Sequence, residues 1–262
     1  MPYSVNCSIL LTELPLLERP AAARTAGFDA VEFWWPFGTA VPTDSEVSAF
    51  ERAIIDAGVR LTGLNFAAGD MPAGDRGLVS WPARSAEFRD NLAVVAGIGD
   101  TLGCTAFNAL YGNRVDESTA EAQDALALEN LALAAAAVAA IGGTVLLEPV
   151  SGAPRYPLLT AQNVLDVITQ VTAASGLNNV KLLADFYHLA VNGDDVAAVI
   201  AEHAADFGHI QIADSPGRGE PGTGDLPIAQ WIEQSQALGY TGPVGLEYKT
   251  TAADPFAWLV RV

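Results

Sequence analysis

Four residues carry the strongest chemical signal in the chain: Glu148, Asp185, Gln211 and Glu247. Each stands at the C-terminal end of a short apolar, β-rich run: TVLLEPV, VKLLADFYH, FGHIQIAD and GPVGLEYK. Three carboxylates and an amide offer oxygen ligands and no thiolate. Such a donor set suits a hard divalent ion, Mg²⁺ or Mn²⁺. A His in place of Gln211 would move the preference toward Mn²⁺, Co²⁺ or Zn²⁺. The alternative is a buried polar network that closes the rim around Arg218, because clustered buried acids need a partner of some kind.

Side-chain parity brings the four together. Alternation along a strand puts Glu148 on a face with Leu146 and Thr144, Asp185 with Leu183, Gln211 with His209, and Glu247 with Gly245. The opposite faces read Val145/Leu147, Leu182/Ala184, Ile210/Ile212 and Val244/Leu246. Those are uniformly apolar and suit packing against helices. The polar residues are therefore expected to point inward at one end of a barrel.

Other polar residues lie near these run ends. His188 follows Asp185 by three positions and reads either as a substrate or proton-shuttle residue or as a loop His bonded to a neighbour. Arg218, between Gly217 and Gly219, could hold a substrate carboxylate with its planar fork or pair with Glu220 or Asp225. His209 reads as support below Gln211 or as core filling, and His203 as a helix-surface bystander. Trp34, Trp35 and Phe37 could wall a pocket or pack under a loop. Glu32 could orient a ligand or pair with an Arg. Asn65, Asp70 and Asn108 are weaker rim candidates, and Asp214 marks where the seventh run breaks into its loop.

The elements that must position these residues alternate strictly. Strand-like runs are expected at Ser4–Ile9, Ala30–Trp34, Arg60–Phe66, Cys104–Leu110, Thr144–Val150, Val180–Tyr187, Phe207–Asp214 and Pro243–Tyr248. Helical patterns are expected at Leu11–Ala26, Asp44–Ala57, Ala83–Leu102, Glu117–Ile141, Thr160–Ser175, Asp194–Ala205, Leu226–Leu238 and Asp254–Val262. Strand–helix alternation implies parallel strands with helical crossovers. Eight units in 262 residues fit one (β/α)8 TIM barrel spanning residues 1–262. An open doubly wound sheet is the alternative, but it would want an early GxGxxG, which is absent. Thr43-Asp44-Ser45-Glu46 reads as a helix N-terminus, and Gly27, Gly58, Gly103, Gly142, Gly176 and Gly239 read as helix C-terminal residues.

Composition narrows the function classes. Lys plus Arg number 13 against 31 Asp plus Glu, a net charge of −18. Nucleic-acid binding is not expected of so acidic a chain, since phosphate affinity rests on basic patches. Cys7 and Cys104 lie in apolar runs and read as buried thiols in a reducing compartment. MPYSVNCSIL lacks a basic n-region and a long apolar core, so no secretory signal is expected. The apolar stretch LALAAAAVAAI from Leu131 is too short to span a bilayer and reads as a packed helix. A soluble cytoplasmic protein without nucleic-acid or membrane partners is the expectation, and a homo-oligomer is compatible with the sequence.

Several stretches together resemble the hydroxypyruvate isomerase family of xylose isomerase-like TIM barrels. They are VEFWWPF, NFAAGDMPAGDRG, LLEPV, ADFYHL, GHIQIADSPGRGEPGTGDL and GLEYK, and they span nearly the whole chain. IQIADSPGRGEPGTG is the most specific, with Gln where sugar-epimerase-type relatives usually carry His. The stretch SGAPRYPLL after LEPV departs from the Asn and Arg that members often carry there. The resemblance implies interconversion of hydroxypyruvate and tartronate semialdehyde (2-hydroxy-3-oxopropanoate). It further implies Glu148, Asp185, Gln211 and Glu247 as ligands of a Mg²⁺ or Mn²⁺ ion, Glu148 and Glu247 as the acid/base pair, His188 and Arg218 as substrate contacts, and no organic cofactor. The same cage would serve a 2-oxo-tetronate isomerase or a ketose 3-epimerase. An endonuclease of this superfamily would want a His-rich zinc cluster and a basic groove. A barrel that binds a small acid without turnover is the non-enzymatic alternative.

Overall fold

Eight short parallel strands close into a barrel in the computed structural model, which describes residues 3–261. They are β1 (Tyr3–Asn6), β2 (Ala30–Phe33), β3 (Arg60–Asn65), β4 (Ala106–Asn108), β5 (Thr144–Leu147), β6 (Val180–Asp185), β7 (Phe207–Ile212) and β8 (Val244–Leu246). Each pairs with its sequence neighbour, and Tyr3–Val5 of β1 pairs with Val244–Leu246 of β8. That last pairing decides for a closed (β/α)8 barrel over an open sheet. The helices are α1 (Arg19–Thr25), α2 (Asp44–Ala57), α3 (Ser85–Leu102), α4 (Ala120–Ala139), α5 (Ala161–Ser175), α6 (Phe186–Asn192), α7 (Val196–His203) and α8 (Ile228–Ala237).

The alternation of side chains sorts the core into two parts. Val145, Leu147, Leu182, Ala184, Ile210, Ile212, Val244 and Leu246 all join the apolar layer between sheet and helices. Leu146, Leu183, His209 and Gln211 instead line a small cavity inside the barrel. The sheet therefore presents an oily outer face to the helices and a partly polar inner face to the site. Local signals set several helix ends. Thr43 and Glu46 form a reciprocal capping box at α2, and Gly58, Gly103 and Gly176 close α2, α3 and α5 in the left-handed region.

Four elements differ from the sequence expectation. The helical pattern from Leu11 holds only a 3-10 turn at Leu16–Glu18 and α1. Pro15 and Pro20 bracket that start, and the Arg19 guanidinium donates to the carbonyls of Cys7, Thr12 and Leu14, holding residues 11–15 as a loop. The run through Tyr187 ends as a strand at Asp185 and becomes α6 at once. The last pattern forms a 3-10 turn at Ala257–Arg261; Val262 lies outside the described residues. Finally, α4 is 20 residues long, so by length and composition it could cross a membrane. It packs in the outer ring instead, burying Ala127, Leu131, Ala134, Ala135 and Val138. Cys7 and Cys104 are free and buried, and burial pushes both thiols up to about 12.

Candidate active site

Asp185 shows how local structure aims a side chain. As the N-cap of α6, its Oδ1 accepts the backbone N–H groups of Tyr187 (2.8 Å) and His188 (3.1 Å). Those bonds fix the carboxylate and leave Oδ2 buried with no hydrogen-bond partner. The same helical turn swings His188 back over the rim. Its Nδ1 accepts the Ser151 N–H at 3.0 Å and lies 2.7 Å from the Ser151 hydroxyl. A backbone donor on Nδ1 assigns the neutral ring's proton to Nε2. That nitrogen stands 3.7 Å from both Glu148 Oε1 and Asp185 Oδ2. Burial pulls the imidazole down to about 4, with Arg218 and Arg76 pushing the same way and Asp185 opposing. His188 is thus a neutral donor at pH 7.

The two glutamates lie one residue beyond their strands. Glu148 Oε2 accepts from Asn108 Nδ2 at 2.8 Å, and its backbone carbonyl accepts from the Tyr156 hydroxyl at 3.0 Å. Glu247 Oε1 accepts from the Trp34 indole N–H at 2.6 Å, while its Oε2 is buried without a hydrogen bond. Burial raises both carboxyls. Glu148 is held well above the usual carboxylate range, with Glu247 and Asp185 adding to the burial effect. Glu247 rises to about 8, even though Arg218 pulls it back.

Arg218 sits at the open side of this group. Its Nη2 lies 3.2 Å from Glu247 Oε2 and 3.6 Å from Asp185 Oδ2, and its Nε donates to the Glu247 carbonyl at 3.1 Å. The ion pairs of this guanidinium run to the cage acids; Glu220 instead accepts from the Thr250 hydroxyl. The loop that carries Arg218 is wound around Asp214. That buried carboxylate accepts the backbone N–H groups of Ser215, Gly222, Gly224 and Leu226. Asp214 organises the loop and takes no direct part in the acid cluster.

Gln211 stands next to Asp185 in the β6–β7 register. Its Nε2 donates to Glu32 Oε1 at 2.6 Å, which leaves Oε1 as the free acceptor end of the amide. Glu32 also accepts from Asn6 Nδ2 at 3.2 Å and bonds His209 Nε2 at 2.8 Å. The carboxylate fits only because β8 has Gly245 there: a Cβ would stand 2.6 Å from Glu32 Oε1 and 2.8 Å from Gln211 Cγ. Glu32 and His209 are therefore the support beneath Gln211.

The structure thus gathers the residues singled out from sequence. Glu148, Asp185 and His188 place ligand atoms within 4.8 Å of one another, Glu247 joins through Arg218, and Gln211 flanks Asp185. A buried Glu/Asp/His group of this kind could hold a metal ion. Asp185 Oδ2 and Glu247 Oε2 accept no hydrogen bond and have Arg218 Nη2 nearby at 3.6 and 3.2 Å, so they are acceptors that a cation could satisfy. Half-buried His203 lies on the far side near Asp206, and Asp70 caps its own loop at Ala73. Trp35 stacks edge-on against Phe37, so these rings pack under the loop and line the mouth together. Sequence reasoning passed over Ser151, whose contact with His188 depends on two loops meeting in space.

A cavity of about 1270 Å³ opens at this end, lined among others by Trp34, Arg76, Glu148, His188, Arg218 and Glu247. Polar groups converging in one cleft at the C-terminal rim of a barrel mark an enzyme site. Comparison with known proteins gives the family. The profile of the xylose isomerase-like TIM barrel matches residues 20–261. A putative hydroxypyruvate isomerase of Streptomyces coelicolor is 53% identical over 98% of this chain and 95% of its own. The chain belongs to the hydroxypyruvate isomerase family of xylose isomerase-like TIM barrels. A 2-oxo-tetronate isomerase of Cupriavidus necator is 36% identical over 98% of this chain and 96% of its own. Among solved structures, one titled AP endonuclease, family 2, from Brucella melitensis superimposes with a TM-score of 0.88 at 29% identity, covering 100% of this chain and 99% of its own. The hydroxypyruvate isomerase family is one of enzymes, and these relatives assign the chain an isomerase function.

Proposed function

We propose that the protein interconverts hydroxypyruvate and tartronate semialdehyde, with Glu148 and Glu247 as the acid/base pair. The observation that carries this is a pair of buried carboxyls, both raised, on two separate strands facing one cavity. The reaction moves a proton from C3 to C2 through an enediolate, while the hydroxyl proton passes from O3 to O2. One glutamate takes the C3 proton, and the other returns a proton to C2. Carboxyls raised by burial can hold a proton as well as release one, which suits both directions of such a transfer. Glu247 is oriented for it by the Trp34 N–H and Glu148 by the Asn108 amide. His188, neutral and donating from Nε2, and Arg218, whose Nη1 has no protein partner among the described residues, contact the substrate oxygens.

Glu148, Asp185, Gln211 and Glu247 would hold a divalent ion, Mg²⁺ or Mn²⁺, through oxygen donors. Such an ion, when bound, supplies positive charge beside the developing enediolate. No organic cofactor is required, since no electron leaves the substrate. The same cage serves a four-carbon 2-oxo acid, and the C. necator relative together with the cavity volume supports 2-oxo-tetronate as the second substrate to test. The balance of charge, −18, weighs against a nucleic-acid substrate. The free buried cysteines fit a cytoplasmic setting.

The test is turnover by metal-stripped protein with Mg²⁺ or Mn²⁺ restored, followed by NMR in D₂O. Metal-dependent tartronate semialdehyde carrying deuterium at C2 is expected. Turnover without any deuterium would replace proton transfer with a hydride shift. No turnover of hydroxypyruvate beside turnover of 2-oxo-tetronate would move the substrate to the longer acid.

A further inference from the structure

The stretch NFAAGDMPAGDRG, residues 65–77, runs from the end of β3 through the loop that follows it, and the proposed reaction gives it no role. It is folded on itself and against the β4 rim. Asp75 N–H donates to the Asp70 carbonyl, Gly77 N–H to the Ala68 carbonyl, and Gly112 N–H to the Arg76 carbonyl. Gly77 has a φ of +110°, and a Cβ there would stand 1.9 Å from the Leu110 carbonyl oxygen, so the loop closes onto the rim only with glycine. Arg76 is held by these contacts at the cavity wall.

Five cations line that cavity: Arg19, Arg76, Arg84, Arg218 and Lys249. Arg84 is tied to Asp75 and Glu87, and Arg218 to Asp185 and Glu247. Arg19 spends Nε, Nη1 and Nη2 on backbone carbonyls. Lys249 is exposed on a flexible stem. Arg76 differs from all of them. Only its Nη1 is used, on the carbonyls of Met71 (3.0 Å) and Asp75 (2.6 Å). Its Nε and Nη2 have no protein partner among the described residues, and its acidic neighbour Asp75 is taken by Arg84. Its charge also reaches the site, since it helps depress His188.

We propose that Arg76 is the carboxylate-recognition residue of this site, its Nε and Nη2 forming a two-pronged contact with the carboxylate of a small 2-oxo acid. Side-on Nε/Nη2 pairing is a bidentate geometry of guanidinium and carboxylate. Arg218 keeps one nitrogen, Nη1, for the reacting end of the substrate. This assignment rests on the reading of the substrate as a 2-oxo acid.

The test uses Mn²⁺-loaded protein and glycerate, a carboxylate of the same length that cannot isomerise, with binding read by calorimetry. Arg76→Met is expected to weaken glycerate by at least about tenfold, the loss of one charge-assisted contact. Arg76→Lys, which restores charge without the fork, is expected to fall between. Mn²⁺ affinity should stay at the parent value in both variants, and KM for hydroxypyruvate should rise at least about tenfold with kcat little changed. Glycerate binding equal in parent and Arg76→Met, or absent from the parent, overturns the proposal. Lost Mn²⁺ binding alongside lost glycerate binding does so too, because it makes Arg76 a support of the loop. A parent that binds glycerate through Arg76 yet fails to turn over hydroxypyruvate keeps the carboxylate site and overturns the reaction assignment. The reverse result keeps the reaction and overturns Arg76.

Discussion

The two halves of the barrel end differently at the mouth. Strands β5, β6 and β8 end in acids, Glu148, Asp185 and Glu247, and β7 carries the Gln211 amide beside them. Strands β1, β2 and β4 end in donors: Asn6, Trp34 just beyond β2, and Asn108. Each of these three donors meets an acid. Asn108 holds Glu148, Trp34 holds Glu247, and Asn6 holds Glu32, which in turn sets Gln211. The acids would do the chemistry, and N–H groups from nearby strands fix which oxygen of Glu148 and Glu247 is left for it, as the α6 N–H groups do for Asp185. A cluster of carboxylates alone would be a set of mobile charges. Paired with these donors, it becomes a set of directed lone pairs.

The comparison breaks most sharply at the acids. Glu148→Gln and Glu247→Gln are each expected to lower kcat by about 10²–10⁴-fold, the range for a positioned acid or base. The double variant should be little worse than either single one, because both proton transfers are needed in the same turnover. Hydroxypyruvate turnover followed by NMR checks this; either variant within tenfold of the parent would sink the acid/base assignment.

The groups that hold the acids and Gln211 should matter less, but through the same oxygens. Asn108→Leu and Glu32→Gln are expected to weaken Mn²⁺ binding by about 10–100-fold, the usual effect of losing a group that orients a ligand. Calorimetric titration of metal-free protein reads it. Unchanged Mn²⁺ affinity with a lowered Tm would make the first half a scaffold only.

The smallest expected effect is on pH and stability of the metal-free protein. Glu247, raised from 4.5 to about 8, keeps a proton in the folded state that the unfolded chain has released, so its contribution falls as pH rises across that window. Glu148 acts in the same direction. His188, lowered from 6.5 to about 4, works oppositely, and its contribution is complete by pH 6.5. Between pH 6.5 and 8 only the carboxyls remain, and Tm should decline there. Mn²⁺ should reverse the trend, since its ligands must be ionised. A flat Tm across that window in metal-free protein would contradict the raised carboxyls.

Much of the fold could be read from the sequence because period-2 apolar runs and longer helical patterns alternate throughout. The acids could be read as well, since a charge at the end of an oily run is conspicuous. Their partners were harder to assign. Glu32 had two readings until His209, Asn6 and Gln211 were seen around it, and Ser151 had none. A donor's meaning lies in what stands beside it on other strands, and spacing along the chain does not encode that. Helix α6 was hidden for a local reason. Phe186 and Tyr187 have strand-forming side chains, yet the cap offered by Asp185 turns them into a helix, with Gly193 at its end.

The buried carboxylate of Asp214 holds its loop through main-chain N–H groups, which every residue except proline possesses. An exposed side chain of that loop such as Asp225 is thereby released from the task of keeping Arg218 in place. Evolution or an engineer can rewrite such positions while the arginine stays where it is.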